Sequence, residues 1–75
     1  MSNIIRKIYK CTYKKEEQLC IARYQAYGCA YLENRIKYPH YEISSAKEFI
    51  NYNDKNQTFD FQLHIEFEER KYDQC

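Results

Sequence analysis

From Thr58 to Glu68 apolar and polar residues alternate without a break. A chain with that pattern reads as a β-strand, with Phe59, Phe61, Leu63, Ile65 and Phe67 on one face and Asp60, Gln62, His64, Glu66 and Glu68 on the other. Every other element has to help cover the apolar face. Ile4 to Tyr13 is β-branched and aromatic and predicts a first strand, with Ile5, Tyr9, Cys11 and Tyr13 on one side and Arg6, Lys10 and Thr12 on the other. Ile4 and Ile8 fall on the charged side, which predicts a half-covered face there.

The segment from Lys15 to about Lys37 is rich in helix formers and opens on Glu16 and Glu17, acids that suit a helix N-terminus. Leu19, Ala22, Ala26 and Ala30 form one stripe, and Cys20, Tyr24, Tyr27 and Tyr31 a second. A helix with two such stripes either packs between two layers or keeps one for another chain. Gly28 marks either a close helix crossing or a break into two segments. Pro39 ends the helix, because the residue before a proline avoids the α region. Ser45 and Glu48 have the spacing of a capping box and predict a short second helix with Ala46, Phe49 and Ile50 inward. Residues 51–56 read as a polar turn, and 69–75 as a fraying charged tail. The expected architecture is α+β in the order β-α-α-β: one domain over residues 1–75, a small antiparallel sheet with one long and one short helix on one face. Two strands make a marginal sheet, so a homodimer that joins edges or buries the tyrosine stripe is expected.

Seventy-five residues lie close to the size at which one core only just outweighs chain entropy. Nine tyrosines and four phenylalanines make much of the apolar surface aromatic, as interfaces often are, while one glycine and one proline leave few sites for phosphate-cradling loops. Four cysteines without C-x-x-C spacing, and an N-terminus lacking the apolar run of a signal peptide, predict a cytoplasmic chain with reduced, mostly buried thiols. Charge is uneven. Residues 1–40 carry eight Lys/Arg against three Asp/Glu, and residues 41–75 four against eight, so halves of +5 and −4 sum to +1. A dipolar chain of this kind suits pairing with a copy of itself or docking on a basic partner.

The sequence holds no recognisable nucleophile motif, Gly-rich phosphate loop or H-E-x-x-H, which predicts a non-enzyme without cofactor or metal. His64, between Gln62 and Glu66, reads as a solvated strand histidine, and the acids Glu66, Glu68 and Glu69 as a wet edge. Arg6, Lys7, Lys10, Lys14 and Lys15, interleaved with Tyr9 and Tyr13, could track phosphates while the rings stack on bases. That supports an alternative reading as a small nucleic-acid-binding regulator.

Gln62-Leu63-His64-Ile65-Glu66-Phe67 resembles the Gln-Leu-x-Leu-x-Leu/Phe peptide with which bacterial replication proteins grip the DNA polymerase sliding clamp. It departs from that peptide in having Ile65 and Phe67 where leucines are commoner. In length and in its Lys/Asn/Tyr/Ile-rich composition the chain is similar to small proteins of phages that infect low-GC Gram-positive bacteria, staphylococci included. The resemblance implies a phage-encoded inhibitor of the host clamp, acting in the host cytoplasm. Two routes follow. Gln62, Leu63, Ile65 and Phe67 could enter the clamp's peptide groove, or Asp60, Glu66, Glu68 and Glu69, with Asp73, could fill its basic DNA channel as an acidic mimic.

Overall fold

A computed structural model describes residues 3–70. Strand β1 (Ile4–Tyr13) leads through a 3-10 turn at Glu16–Gln18 into helix α1 (Leu19–Ile36). Strands β2 (Tyr41–Asn53) and β3 (Thr58–Glu69) follow as a hairpin. The three strands form one antiparallel sheet in the order β1-β3-β2, so the alternating strand is the central one.

The alternation works as its pattern requires. Phe61, Leu63, Ile65 and Phe67 are 0–1 % exposed on the helix side of β3. Ala22, Ala26 and Ala30 of α1 are almost as buried, and their small side chains let the helix backbone settle onto those four large ones. Ile5, Tyr9 and Cys11 of β1 extend the core on one side, and Tyr41 and Ile43 of β2, with Tyr38 from the helix exit, on the other. At the opposite end a row of rings crosses the sheet, Tyr13 stacked on Phe59 at 5.1 Å and Tyr52 tilted against Phe59 at 5.0 Å.

Helix α1 is continuous through Gly28, where an added Cβ would meet nothing within 4 Å. The helix stops where expected: Lys37 and Tyr38 both donate backbone N–H groups to the Glu33 carbonyl, and Asn34 Nδ2 donates to the carbonyls of Tyr38 and Tyr41 at 2.9 and 2.8 Å. At its start the Gln18 side chain accepts from the backbone N–H groups of Lys14 and Lys15.

The short second helix does not exist; Ser45 to Ile50 lies inside β2. The cause is a bulge at Ser44. Ile43 pairs with Phe67, but Ser45 pairs with Glu66, so one extra residue shifts the phase of the strand. Ile43, Ala46 and Ile50 then all face the helix side, at spacings of three and four that imitate a helical stripe. Ser44 Oγ donates to the Glu66 carbonyl at 3.2 Å and pins the bulge. Two smaller corrections follow. The polar turn is shorter than 51–56, because β2 runs to Asn53, which pairs with Thr58. Glu69 belongs to β3 and donates its backbone N–H to the Asn3 carbonyl, while Asp73 and Cys75 lie outside the described residues.

In the hairpin turn Asn53 Oδ1 accepts from the backbone N–H groups of Lys55 and Asn56, and Gln57 takes a left-handed φ of 54°. That conformation costs a residue with a Cβ roughly 1 kcal/mol or more. Gln57→Gly is expected to raise the unfolding free energy by about 0.5–1 kcal/mol in urea titrations. Leu63→Ala, which opens a cavity under α1, is expected to lower it by about 2–5 kcal/mol.

Candidate protein-binding surfaces

Backbone register divides the chain's chemistry between two faces of the sheet. On the face away from the helix, the central strand presents Asp60, Gln62, His64, Glu66 and Glu68 in a row. Beside them β1 places Thr12, Lys10, Ile8, Arg6 and Ile4, and β2 places Asn51, Phe49, Lys47, Ser45 and Glu42. Arg6 Nε donates to Glu66 Oε2 at 2.8 Å, an exposed pair that contributes little stability, and Thr12 Oγ1 donates to Asp60 Oδ1 at 3.2 Å. His64 bonds Gln62 at 3.0 Å and meets the Phe49 ring edge-on at 4.6 Å. Ile4 and Ile8, expected to be half covered, are both open to solvent. This face is therefore a row of carboxylates bordered by cations, with an apolar spot at Ile8 and Phe49.

Of the residues proposed for a peptide groove, Gln62 alone is on this face. Leu63, Ile65 and Phe67 are core, on a strand paired along both edges. Asp60, Glu66 and Glu68 do share the open face; Glu69 closes the end of the strand, where its carboxylate accepts from Asn3 Nδ2 at 3.3 Å. The basic set proposed for nucleic acid is split. Arg6 and Lys10 face outward, Lys7 is opposite Ile65 on the helix side, and Lys14 and Lys15 follow the end of β1. Tyr9 and Tyr13, whose rings were to stack on bases, point into the helix interface.

Between helix and sheet two polar clusters hold α1 in place. The Tyr9 hydroxyl donates to Glu33 Oε1, and Lys37 Nζ reaches Glu33 Oε2 at 3.2 Å. The hydrogen bond from Tyr9, then that from Lys37, hold the Glu33 carboxyl below the usual carboxylate range, while burial first and Glu33 second push the Tyr9 phenol up. On the other flank Glu48 of β2 accepts from Arg23 and from the Tyr27 hydroxyl at 2.9 Å. Burial, and then Glu48, raise the Tyr27 phenol as well.

The helix sits over β1 and β3 and touches β2 much less, so a groove opens beside it. Ala46, Glu48, Ile50 and Tyr52 of β2 are on the helix side there, since they pair with the core residues Ile65, Leu63, Phe61 and Phe59. The second helix stripe makes a concave surface of its own, lined by Cys20, Arg23, Tyr24, Tyr27, Gly28 and Tyr31 of α1. Sequence reasoning identified that stripe but missed the helix-side row of β2, because Ile50 and Tyr52 were assigned to a helix and a turn. Alternation of Glu48, Ile50 and Tyr52 against Phe49 and Asn51 was the signal available. Cys20 and Cys29 are exposed and Cys11 is half-buried, its thiol donating to Gln25 Oε1, so the expectation of mostly buried cysteines does not hold. Among the described residues no three His, Cys, Asp or Glu side chains are grouped to hold a metal ion, and no helix is long and apolar enough to cross a membrane.

The signs of the two shifts predict the pH dependence of stability. Glu33, lowered on folding, stabilises above about pH 4.3 and loses that contribution as pH falls through its folded value. Tyr9, raised on folding, stabilises below about pH 10 and loses that contribution as pH rises further. Tyr9→Phe is expected to lower stability at neutral pH by about 1 kcal/mol and to flatten both limbs, read from urea midpoints across pH. Compared with protein-family profiles, with curated proteins and with solved structures, the chain matches none.

Proposed function

We propose that this protein is a non-catalytic inhibitor that lodges the open face of its sheet against another protein, and that its target is the basic DNA channel of a bacterial sliding clamp. In this reading it is a phage product acting in the host cytoplasm. The observation that carries it is that Asp60, Glu66 and Glu68 share the open face of the central strand, with the exposed Ile8 and Phe49 on the neighbouring strands. Glu42, Asp60, Glu66 and Glu68 outnumber Arg6, Lys10 and Lys47 on this face by one charge, which favours encounter with a basic surface, and the adjoining apolar side chains add contact area.

Entry into the clamp's peptide groove is the weaker route. Extracting Leu63, Ile65 and Phe67 would forfeit roughly 1.5–3 kcal/mol of burial each, a sum comparable to the whole stability of a small domain. Nucleic-acid binding is also disfavoured, since phosphates approaching Arg6 and Lys10 would meet the carboxylates of β3.

Calorimetric titration against a purified bacterial sliding clamp tests the proposal. Binding is expected at micromolar concentration or tighter. The double charge reversal Glu66→Lys with Glu68→Lys should weaken it by about tenfold or more, and Gln62→Ala by less than about twofold. Absence of both heat and co-elution would end the reading, as would equal damage from Gln62→Ala. Tight, salt-steep binding to DNA of arbitrary sequence would favour the regulator instead.

A further inference from the structure

We infer that β2 is the seam of a symmetric homodimer, in which two copies pair their β2 edges antiparallel and their helix tyrosines meet over the join. The assembled sheet has six strands, β1-β3-β2-β2-β3-β1, with both helices on one side. The seam shares Phe49 with the open face but none of the carboxylates Asp60, Glu66 and Glu68, so loss of dimerisation in Ile50→Lys and loss of clamp binding in Glu66→Lys with Glu68→Lys are separate outcomes.

The two free edges of the sheet differ in what they can pair with. β1 carries Arg6, Lys7 and Lys10, followed by Lys14 and Lys15, and self-pairing would bring like charges together. β2 carries only Glu42, Lys47 and Glu48, and Arg23 already compensates Glu48. Pairing β1 with β2 of another copy is a heterologous contact that builds a ring or a filament and leaves no closed pair. An isologous β2 contact closes at two.

Register follows from the bulge. Ser44 interrupts the edge, leaving Ser45 to Asn53 as the regular stretch, with Phe49 at its midpoint. Centred there, Ala46 faces Tyr52, Lys47 faces Asn51, Glu48 faces Ile50, and Phe49 faces its own copy. Centring on Lys47 or Glu48 would oppose identical charges. With strands about 4.8 Å apart, helices seated over β1 and β3 of each copy have axes roughly 15–19 Å apart across the seam. Direct helix packing needs 8–10 Å. Long side chains must fill the difference, and the helix flank nearest β2, where Tyr27 bonds Glu48, bears Tyr27 and Tyr31, with Ala46, Ile50 and Tyr52 on the helix side of β2.

Apolar area is available at the seam. Tyr31, Phe49, Ile50 and Tyr52 are 56, 47, 46 and 53 % exposed. At roughly 200 Å² for a large side chain they leave on the order of 400 Å² bare per copy. A nine-residue backbone edge adds to this, toward the roughly 800 Å² per partner of a stable interface.

Sedimentation velocity between about 1 and 100 µM is expected to show twice the 9.3 kDa chain mass at the upper end. Ile50→Lys and Tyr31→Lys should each weaken association by about tenfold or more, while Leu32→Lys, on the β1 side of the helix, should leave it unchanged. Alkylation of the wild-type protein needs no substitution: Cys20, on the tyrosine flank, should react more slowly as concentration rises, and Cys29 at a constant rate. A monomer at all concentrations would overturn the inference. So would a dimer broken by Leu32→Lys but not by Ile50→Lys, or protection of Cys29 in place of Cys20. If Ile50→Lys fails to fold, the thiol measurement on the unaltered chain decides.

Discussion

The apolar face of β3 is the constraint from which the rest of this structure follows. Phe61, Leu63, Ile65 and Phe67 must leave water together, and one helix does the covering through the small side chains of Ala22, Ala26 and Ala30. Close approach strengthens dispersion contacts in the middle of the sheet. The polar ties at Tyr9–Glu33 and Arg23–Glu48–Tyr27 are on the two flanks of the helix and fix its position on the strands.

One helix is a small lid for this sheet. Eighteen helical residues span about 27 Å, whereas the twelve of β3 span roughly 40 Å. The far ends of β2 and β3 therefore extend past the helix, where the ring row Tyr13, Phe59 and Tyr52 crosses them and residues 14–17 border it, and much of the helix side of β2 stays exposed. What remains uncovered is the carboxylate row with Ile8 and Phe49 beside it on one face, and the helix-side row of β2 with the tyrosine stripe of α1 on the other.

Much of this was legible in the sequence, and the rest was hidden for specific reasons. The strand at 58–69, the strand at 4–13, the long helix and its two stripes are all carried by periodicity. The second strand was hidden because the bulge at Ser44 gives Ile43, Ala46 and Ile50 helical spacing, and because Ser45 and Glu48 imitate a capping box. Losing that strand also hid the central position of β3, and with it the fact that a clamp-like hexapeptide has its apolar residues locked inside. Lys7 shows the same limit on a smaller scale: it is in a basic run, but its strand parity turns it toward the helix and Glu33. Local pattern reads faces well, while strand order depends on contacts distant in the chain.

Central placement of β3 is the claim on which both surfaces depend, and native-state hydrogen exchange tests it most directly. A strand paired along both edges exchanges its amides only when the whole domain opens. The amides of Phe61 to Phe67 are therefore expected to be the slowest in the chain, with rates that track the global unfolding free energy. Exchange of that segment as fast as that of frayed or edge positions would contradict the account.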